Sequence, residues 1–498
     1  MTPTLTTVGV PMADGTTLAT DVWLPPAEQF GGPRPTLLQR LPYGRGSASA
    51  MVLPAPAALA ALGYAVVVQD VRGTGDSEGD FVPFHEAADG AATVEWAAAQ
   101  PFSDGRVCLY GFSYQGYNQL QTAALRPAGL VAVAPMMAPT SPYEFVHEAG
   151  ARKWDFMVLW AAQLTRLGGD PQRRAGDPHA SDPVAAIGAE PPQWYRDWVG
   201  NDQPAGYWDS LAADLEAIDV PAFTVLGYAD VFASGTWALA GCLDATVVCG
   251  PWAHMPWGSR IGDLELGPEA GPAPAVEGFL AFLAHVFGEG PAPARSTWFE
   301  VGGGWHTSAQ WPPPAEPLTL HGTSGASGAN SRNGSGALVP EPPQAAHPEW
   351  FVADPTAPVP GSSAAYPDNA ALEDRRDVLC WTTGPQDAPL RLAGTPVVSV
   401  EVSTPAASLD VFAALCVVDG GVSRQVSAGV RRTTGGRVEV SLSPVGWRLE
   451  PGQVLRVEVS ASRFPRHDLN PQGADGVLIA PVTLTSLQAT LPVVRQEP

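Results

Sequence analysis

A serine beside small residues at the end of an apolar run is the first candidate for chemistry. The segment GFSYQG (111–116) follows the apolar run RVCLYG and precedes the helix-like stretch QGYNQLQTAALRP. A sharp strand-to-helix turn would lift Ser113 above the carboxyl edge of a sheet, at a helix N-terminus whose N–H groups can bind an oxyanion. Gln115 occupies the usual place of the second glycine, and Gly116 follows. An ordinary serine in a glycine-containing turn would give the same residues, so the motif alone leaves both interpretations open.

Asp230 and His254 supply the two other groups that a serine nucleophile needs. Asp230 ends the apolar run VPAFTVLGYAD, and His254 ends ATVVCGPWAH. A hydroxyl needs a base to become a nucleophile, and the imidazole needs a carboxylate to fix its tautomer and stabilise its charged form. The chain order Ser, Asp, His is the order of the α/β-hydrolase fold. Each residue alone has a structural alternative, but all three at strand ends predict a catalytic triad.

An oxyanion hole would complete this site. The loop LPYGR (41–45) follows an early apolar run and lacks a run of glycines. The Tyr43 hydroxyl can donate there instead, with the backbone N–H of Tyr114 as the second donor. The alternative is that Tyr43 is a packed loop aromatic.

The glycine-rich segment GTGDSEG (73–79) looks superficially like a dinucleotide-binding loop. However, three residues rather than two separate its last glycines, and FVPFHE follows it rather than a helix. We interpret this segment as a structural turn.

Alternating strands and helices must position these groups. The spacing of apolar residues predicts helices over 85–100, after Ser113 and over 274–288, and short apolar runs predict buried strands. The predicted strands are 35–42, 64–71, 106–113, 130–139, 220–230 and 245–254. This order is typical of an α/β fold with a parallel sheet covered on both faces.

The chain is long enough for several domains. We predict an α/β-hydrolase domain in two parts, 1–142 and 216–292. A tryptophan-rich helical cap is inserted at 143–215 and contains a polar loop at 168–192. From 293 to 498, short alternating strands between turns predict a jelly-roll β-sandwich, with a loop at 323–337.

Charge and composition exclude several classes of function. The formal net charge is −23, which repels nucleic acid and anionic membranes, and no apolar stretch is long enough to span a bilayer. The N-terminus lacks the pattern of a signal peptide, and five scattered cysteines fit a reducing cytoplasm. C-x-x-C and H-E-x-x-H motifs are missing, so we expect no metal and no cofactor. Lys153 is the only lysine, and its rarity by itself indicates no chemistry.

Nearly the whole chain resembles the CocE/NonD hydrolases, the group that contains bacterial cocaine esterase and has X-Pro dipeptidyl peptidases and α-amino-acid ester hydrolases as relatives. The motifs that carry the resemblance are MADGTTLATDVWLPP, RLPY, VVVQDVRGTGDSEGDF, GFSYQG, YWDSL, VPAFTVLGYAD, GPWAH and FPRHDLNP. GFSYQG matches the family pattern G-x-S-Y-x-G, which accounts for the displaced glycine. The resemblance also implies the three-part layout of sheet domain, cap and jelly roll.

The resemblance implies a role for each matched residue. It implies that Ser113 is the nucleophile, Asp230 the acid and His254 the base. It also implies that the Tyr43 hydroxyl and the Tyr114 amide form the oxyanion hole. Phe232 matches a position at which the family has an aromatic residue lining the acyl pocket. The cap matches poorly, so substrate specificity does not transfer.

The acyl pocket is expected to be apolar. α-Amino-acid ester hydrolases place carboxylates just past the catalytic acid to hold an amine, and this chain has Val231 and Phe232 there. The predicted pocket residues from the cap are Trp154, Phe156 and Trp160. The alternative is that these cap aromatics are helix core and never meet substrate.

The sequence therefore predicts a serine hydrolase that cleaves a small carboxylic ester or amide through an acyl-Ser113 intermediate. The acyl group is expected to be neutral and apolar or aromatic. Two alternatives stay open: acyl transfer or another non-hydrolytic reaction on the same machinery, and a carbohydrate- or partner-binding protein with a vestigial triad. The oligomeric state is open, with a homodimer among the candidates.

Overall fold

We describe a computed structural model of the chain that covers residues 2–47, 53–167, 182–187, 191–255, 257–345, 347–470 and 479–494. The helices and strands before the cap are β1 (Thr4–Pro11), β2 (Thr17–Leu24), β3 (Arg34–Leu41), α1 (Pro56–Ala61), β4 (Ala65–Asp70), α2 (Ala87–Ala98), β5 (Ser103–Phe112), α3 (Tyr114–Ala124) and β6 (Leu130–Met136). The predicted cap region contains α4 (Tyr143–Val146), β7 (His147–Glu148), β8 (Ala151–Arg152), α5 (Trp154–Leu167), α6 (Pro183–Ala186) and α7 (Gln193–Gly200). Most of the predicted polar loop at 168–192 lies outside the described residues.

The chain then returns to the first domain and continues into an all-β region. The next elements are β9 (Ala222–Gly227), α8 (Ala233–Cys242), β10 (Ala245–Gly250), β11 (Arg260–Ile261), β12 (Leu264–Glu265), α9 (Ala273–Val286), β13 (Ser296–Glu300) and β14 (Gly304–Ser308). The all-β region contains β15 (Glu316–Ser324), β16 (Gly336–Val339), β17 (Glu349–Ala353), β18 (Leu379–Thr382), β19 (Leu390–Gly394), β20 (Val397–Ser403), β21 (Leu409–Asp419), β22 (Val422–Thr433), β23 (Gly436–Ser441), β24 (Val445–Leu449), β25 (Val454–Ser460) and β26 (Ala480–Val493). Short 3₁₀ turns lie at Arg45–Ser47, Asp209–Leu211, Leu215–Ala217, Pro268–Ala270 and Leu372–Asp374.

The main sheet has the strand order β1-β2-β4-β3-β5-β6-β9-β10-β13-β14. The strands from β4 to β13 run parallel, while β1, β2 and β14 are antiparallel additions at the two edges. Side chains alternate between the faces of a strand, so Val66 and Val67 of β4 enter two different hydrophobic cores. Helices α1 and α9 contribute to one core, and α2, α3 and α8 contribute to the other. The predicted α/β-hydrolase fold is confirmed.

The sheet continues beyond residue 292, the predicted end of the hydrolase part. β13 pairs in parallel with β10, and β14 pairs with β13 as a hairpin. Their alternating sequence is similar to that of the later strands, so pattern alone could not separate them from the jelly roll. The Val301 amide donates to the Gly446 carbonyl oxygen (2.9 Å), which joins this edge of the sheet to the all-β region.

The all-β region is built around the long strand β26, which pairs with β15, β17, β19 and β20. Its interior shares one continuous hydrophobic core with the α1–α9 face of the main sheet: Phe279 and Trp252 belong to the same cluster as Leu415, Val457 and Leu491. The predicted C-terminal β-domain is confirmed, and its interface with the hydrolase domain is apolar. In the described parts of the chain, the helices all lack the length and apolarity needed to cross a membrane.

The segment 73–79 folds around the side chain of Asp70. Gly75 has φ 56°, and a Cβ atom there would lie 2.1 Å from Asp70 Oδ2. The Asp76 amide and the Arg45 guanidinium both donate to that oxygen, at 3.1 and 2.5 Å. The glycines of this segment therefore make room for an internal carboxylate, as expected of a structural turn.

A chain truncated at Gly290 would lose β13 and β14 and expose the apolar face shared with the β-region. We expect this fragment to be insoluble or inactive, because β10 would lose its partner β13 and become an exposed edge strand of the sheet. Expression of residues 1–290, followed by solubility and ester-hydrolysis assays, checks this. A soluble fragment with full activity would contradict the prediction.

Candidate active site

Three side chains form one hydrogen-bonded row at the carboxyl edge of the main sheet. His254 Nε2 lies 3.0 Å from Ser113 Oγ, and His254 Nδ1 lies 2.8 Å from Asp230 Oδ1. The Asp230 side chain is fully buried, whereas the His254 side chain is 22% exposed. The histidine can thus receive a proton from the serine on one side, while the acid holds its other nitrogen.

The backbone at Ser113 explains why this serine is presented to the site. Ser113 directly follows β5 with φ 63° and ψ −130°, and α3 begins at the next residue. Its amide donates to the Met136 carbonyl oxygen at 2.9 Å. Cβ atoms at Gly111 and Gly116 would lie 2.7 Å from Gln115 Cβ and 2.8 Å from another Cβ, respectively. The turn therefore needs glycine at both positions, including the displaced one.

Asp230 and His254 reach the serine from two neighbouring strands. Asp230 lies three residues after β9, in the turn before α8, and His254 lies four residues after β10. Since β9 and β10 run parallel and in register, their following loops leave the same edge of the sheet. Phe112 and Phe232 contact the imidazole ring, with ring centroids 5.6 and 5.3 Å away.

Tyr43 lies in the loop after β3 and lines the same cavity as Ser113. Its hydroxyl accepts a hydrogen bond from Trp160 Nε1 at 3.0 Å, so its own proton is free for another acceptor. Burial raises the pKa of the Tyr43 hydroxyl, which keeps it a donor at neutral pH. The Tyr43 hydroxyl therefore keeps a proton that it can donate inside this cavity.

Tyr114 begins α3, where the first backbone N–H groups have no partner within the helix. Its side chain points away into a buried polar cluster: the hydroxyl donates to Glu86 Oε1 and accepts from the Phe84 amide at 2.9 Å. Burial raises the pKa of Glu86 to about 7. The Arg40 guanidinium donates to the Glu86 carbonyl oxygen at 3.1 Å. The residue after Ser113 is thus anchored through its side chain.

A cavity of about 700 Å³ opens over the triad. Much of its lining is apolar, and it includes Ser113 and His254 as well as residues from the cap and the β-region. The lining residues are Tyr43, Ser47, Phe112, Ser113, Gln115, Asp155, Phe156, Leu159, Trp160, Gln163, Ala229, Val231, Ala253, His254, Met255 and Ser363. Ser363 comes from the β-region and donates from its hydroxyl to Asp155 Oδ2.

The predicted pocket residues occupy two different places. Phe156 and Trp160 of α5 line the cavity, and their rings stack 5.7 Å apart. Trp154 and Phe232 are buried in the hydrophobic core and do not belong to the described residues of the lining. Phe232 lies behind His254 and supports its ring rather than facing the cavity. Aromatic type predicts burial, but it does not predict which side of the cavity wall a ring occupies.

Sequence reasoning missed several lining residues and the hydrogen bond between Trp160 and Tyr43. Leu159 and Gln163 lie on the same face of α5 as Phe156 and Trp160, so helical spacing could have indicated them. Met255 directly follows His254 in the sequence. Ser363 had no local signal, because it reaches the site from a loop more than two hundred residues away from Asp155.

Among the described residues, one group of three side chains has the atom types and spacing of metal ligands, and it lies in the β-region. Glu373, Cys416 and Glu458 have ligand atoms within 4.8 Å of one another. Arg456 contacts Glu373, and Arg463 donates to Glu458 Oε2 at 2.8 Å. Two guanidinium groups therefore balance the two carboxylates, and we interpret the group as a buried ion-pair cluster.

The parallel sheet, the Ser–His–Asp row and the apolar cavity define a serine hydrolase of the α/β-hydrolase fold. Residues 14–256 match the family model of the X-Pro dipeptidyl-peptidase (S15 family), and residues 291–477 match that of the X-Pro dipeptidyl-peptidase C-terminal non-catalytic domain. Cocaine esterase from Rhodococcus sp. (strain MB1 Bresler) is 29% identical, covering 93% of this chain and 91% of its own. These matches confirm the predicted resemblance to the CocE/NonD serine hydrolases.

Solved structures show the same fold. An aminopeptidase from a marine sediment Thaumarchaeota archaeon has a TM-score of 0.84 at 22% identity, covering 99% of this chain and 97% of that one. An α-amino acid ester hydrolase has a TM-score of 0.83, also at 22% identity and with the same coverage. At this identity the comparison shows the architecture alone.

The pair Tyr43 and Trp160 yields a graded prediction. Tyr43→Phe keeps the ring but removes the donor, so kcat should fall about 10²–10³-fold, as for loss of one oxyanion donor. Trp160→Phe removes the hydrogen bond that orients the hydroxyl and also replaces a cavity-lining indole by a smaller ring, so kcat should fall roughly 3–10-fold, less than in Tyr43→Phe. Steady-state kinetics on a p-nitrophenyl ester measures both.

Trp194→Phe serves as the control, because Trp194 is a buried cap residue outside the described cavity lining. Its kcat should stay near that of the wild type. A change confined to KM in Tyr43→Phe would make Tyr43 a substrate-packing residue and contradict the oxyanion assignment.

Proposed function

We propose that this serine ester hydrolase cleaves carboxylic esters through an acyl-Ser113 intermediate and prefers neutral, apolar or aromatic acyl groups. The observation that carries the proposal is the unbroken row from Asp230 through His254 to Ser113 at the floor of an apolar cavity. A serine with a base in hydrogen-bond reach and an oriented base is the arrangement needed for nucleophilic acyl transfer.

In the first half-reaction, His254 Nε2 removes the proton of Ser113 as Oγ attacks the ester carbonyl carbon. The tetrahedral oxyanion accepts hydrogen bonds from the Tyr114 amide and the Tyr43 hydroxyl. The charged imidazolium is stabilised by Asp230 and then protonates the departing alcohol oxygen. This step leaves the acyl group as an ester on Ser113.

In the second half-reaction, water takes the place of the alcohol. His254 removes a proton from this water as its oxygen attacks the acyl carbon, and the same two donors hold the new oxyanion. Collapse of this intermediate breaks the bond to Ser113 Oγ, which regains the proton from His254. The carboxylic acid leaves, and the triad returns to its starting protonation state.

The composition of the cavity wall supports an apolar acyl group. Phe112, Phe156, Leu159, Trp160 and Val231 border the space in front of the serine. Burial of apolar surface against such a wall contributes about 25 cal/mol per Å² to the free energy of binding. A phenyl ring should therefore bind more favourably there than a small polar group. A bare ammonium group would lose its hydration there without a dedicated partner.

Among the described residues of the cavity lining, Asp155 is the one that carries a carboxylate. Its oxygens already accept hydrogen bonds from the Ser363 hydroxyl and the Phe156 amide. Val231 lines the wall directly after the catalytic acid, where a carboxylate would be needed beside the acyl group's α-position. We therefore expect Asp155 to contribute little to binding of a neutral ester.

Substitution of the triad tests the proposed mechanism. Ser113→Ala and His254→Ala should each lower kcat roughly 10⁴-fold or more, and the double variant should lose little further, because the residues act as a unit. Asp230→Ala should lower kcat by a smaller factor, because the imidazole of His254 is still present, although badly oriented. Steady-state kinetics with circular dichroism as the folding control measures this. Retention of more than a tenth of kcat by Ser113→Ala would refute the nucleophile assignment.

Selectivity is tested with matched p-nitrophenyl esters. Phenylacetyl and benzoyl esters should exceed the phenylglycyl ester at least tenfold in kcat/KM near pH 7, because the ammonium group has no unengaged carboxylate on the described wall. Asp155→Asn should leave turnover of the neutral esters within about twofold. The preference would be overturned if the phenylglycyl ester were hydrolysed as fast as the neutral esters or faster. Loss of that activity in Asp155→Asn would then identify Asp155 as an amine ligand.

The location and assembly of the enzyme stay predictions. The five cysteines are all free thiols, and four of them are buried. We propose that the protein acts in a reducing cytoplasm on a small-molecule ester, without nucleic acid or membrane partners.

A further inference from the structure

The only lysine of the chain lies in the protein interior, beside the catalytic acid. Lys153 stands between β8 and α5, and its side chain is buried. Every other basic side chain except histidine is arginine, although the chain has 27 lysines and arginines in total. A buried ammonium group is costly unless it is hydrogen-bonded and compensated, so its surroundings indicate what it does.

The ammonium group joins the cap to the turn that carries Asp230. Lys153 Nζ donates to the Glu144 carbonyl oxygen at 2.7 Å and to the Val231 carbonyl oxygen at 3.0 Å. Val231 directly follows Asp230, so the second bond fixes the backbone next to the catalytic acid. A compact ammonium can donate to two carbonyl oxygens that converge in this way, whereas the planar fork of arginine is shaped for carboxylates.

The same group also supports the catalytic histidine through an aromatic ring. Lys153 Nζ lies 4.9 Å from the centre of the Phe232 ring. The Phe232 ring in turn meets the His254 ring edge-to-face, with centroids 5.3 Å apart. A cation over an aromatic face is attractive, most strongly when desolvated. Lys153 therefore contacts both the backbone after the acid and the ring behind the base.

The charges around Lys153 show how its own charge is balanced. Burial lowers the pKa of Lys153, and nearby carboxylates oppose this shift. The charged groups that face it are Glu144 from α4, Glu148 from β7, Asp230 after β9 and Arg466 of the β-region. Glu148 also contacts His467 at 3.0 Å. Lys153 and Asp230 both line a cavity of about 240 Å³ behind the triad.

We propose that Lys153 is a positioning residue of the hydrolytic site, which holds the turn after Asp230 and the Phe232 ring and stabilises the ionised Asp230 with its charge. The inference rests on the proposed function, because it assigns Lys153 to the reaction of the triad. Lys153 touches neither substrate nor Ser113 in this role, and it acts through Asp230, Phe232 and His254.

Kinetics of Lys153→Met and Lys153→Arg test this role. Lys153→Met keeps an apolar stem of similar length and removes the charge, so kcat should fall roughly 10–100-fold while KM changes less than about threefold. Loss of a positive charge near the Asp230–His254 pair favours the protonated imidazole, so the acid limb of kcat/KM should shift upward by about half a pH unit or more. Lys153→Arg keeps the charge and should restore the position of this limb.

Arg437→Met is the matched control, because it removes one positive charge from an exposed side chain of the β-region. Its kcat and pH profile should equal those of the wild type. Rates are compared per active site, titrated with a fluorophosphonate. Wild-type kcat together with an unmoved pH profile in Lys153→Met would overturn the inference.

A second measurement needs neither activity nor a Lys153 variant. Lysine labelled with ¹³C at Cε gives one side-chain NMR signal in this chain, because Lys153 is the only lysine. In Asp230→Asn, loss of the neighbouring negative charge should move the titration midpoint of this signal to lower pH, whereas Ser113→Ala should leave it unchanged. An identical midpoint in Asp230→Asn and wild type would overturn the inference. If the wild type hydrolyses no ester, the proposed function fails while this coupling is still measured.

Discussion

The backbone of Ser113 occupies a region that L-residues rarely adopt, with φ 63° and ψ −130°. Such a conformation costs of order 1–3 kcal/mol and persists only where the surroundings hold it. Here the Met136 carbonyl oxygen accepts the serine amide, α3 begins at once, and Gly111 and Gly116 leave room for the turn. The strained turn puts Oγ at the sheet edge, at the start of a helix and within reach of His254. The hydrogen-bonded row from Ser113 through His254 to Asp230 and the proposed oxyanion hole depend on this placement.

The β-region contributes to the site although it contributes no member of the triad. Its Arg466 and Pro465 carbonyl oxygens accept the amides of Trp154 and Asp155, both at 3.0 Å, and so satisfy the first turn of α5. Helix α5 then carries Trp160 to the Tyr43 hydroxyl. The position of the Tyr43 hydroxyl, our proposed oxyanion donor, is therefore linked through the cap helix to the C-terminal domain. This linkage gives a physical reason for the three parts to form one enzyme.

The row of Ser113, His254 and Asp230 could be predicted from sequence because each residue lies within four residues after a buried strand, and parallel strands bring their carboxyl ends to one edge. The interpretation of Trp154 and Phe232 as cavity residues went further than residue type allows, since the structure places both rings in the core. The bond between Tyr43 and Trp160 joins residues 117 positions apart. No local pattern encodes such a contact, and the same holds for the pairing of β13 with β10.

The central claim is that Ser113 is a nucleophile activated by His254, and covalent labelling with a fluorophosphonate tests it most directly. The folded wild-type protein is treated with the reagent, digested and mapped by peptide mass spectrometry, in parallel with His254→Ala. We expect one adduct per chain, on Ser113, and a far slower labelling reaction in His254→Ala. A wild-type protein that stays unlabelled, or that carries the adduct on another residue, would contradict it.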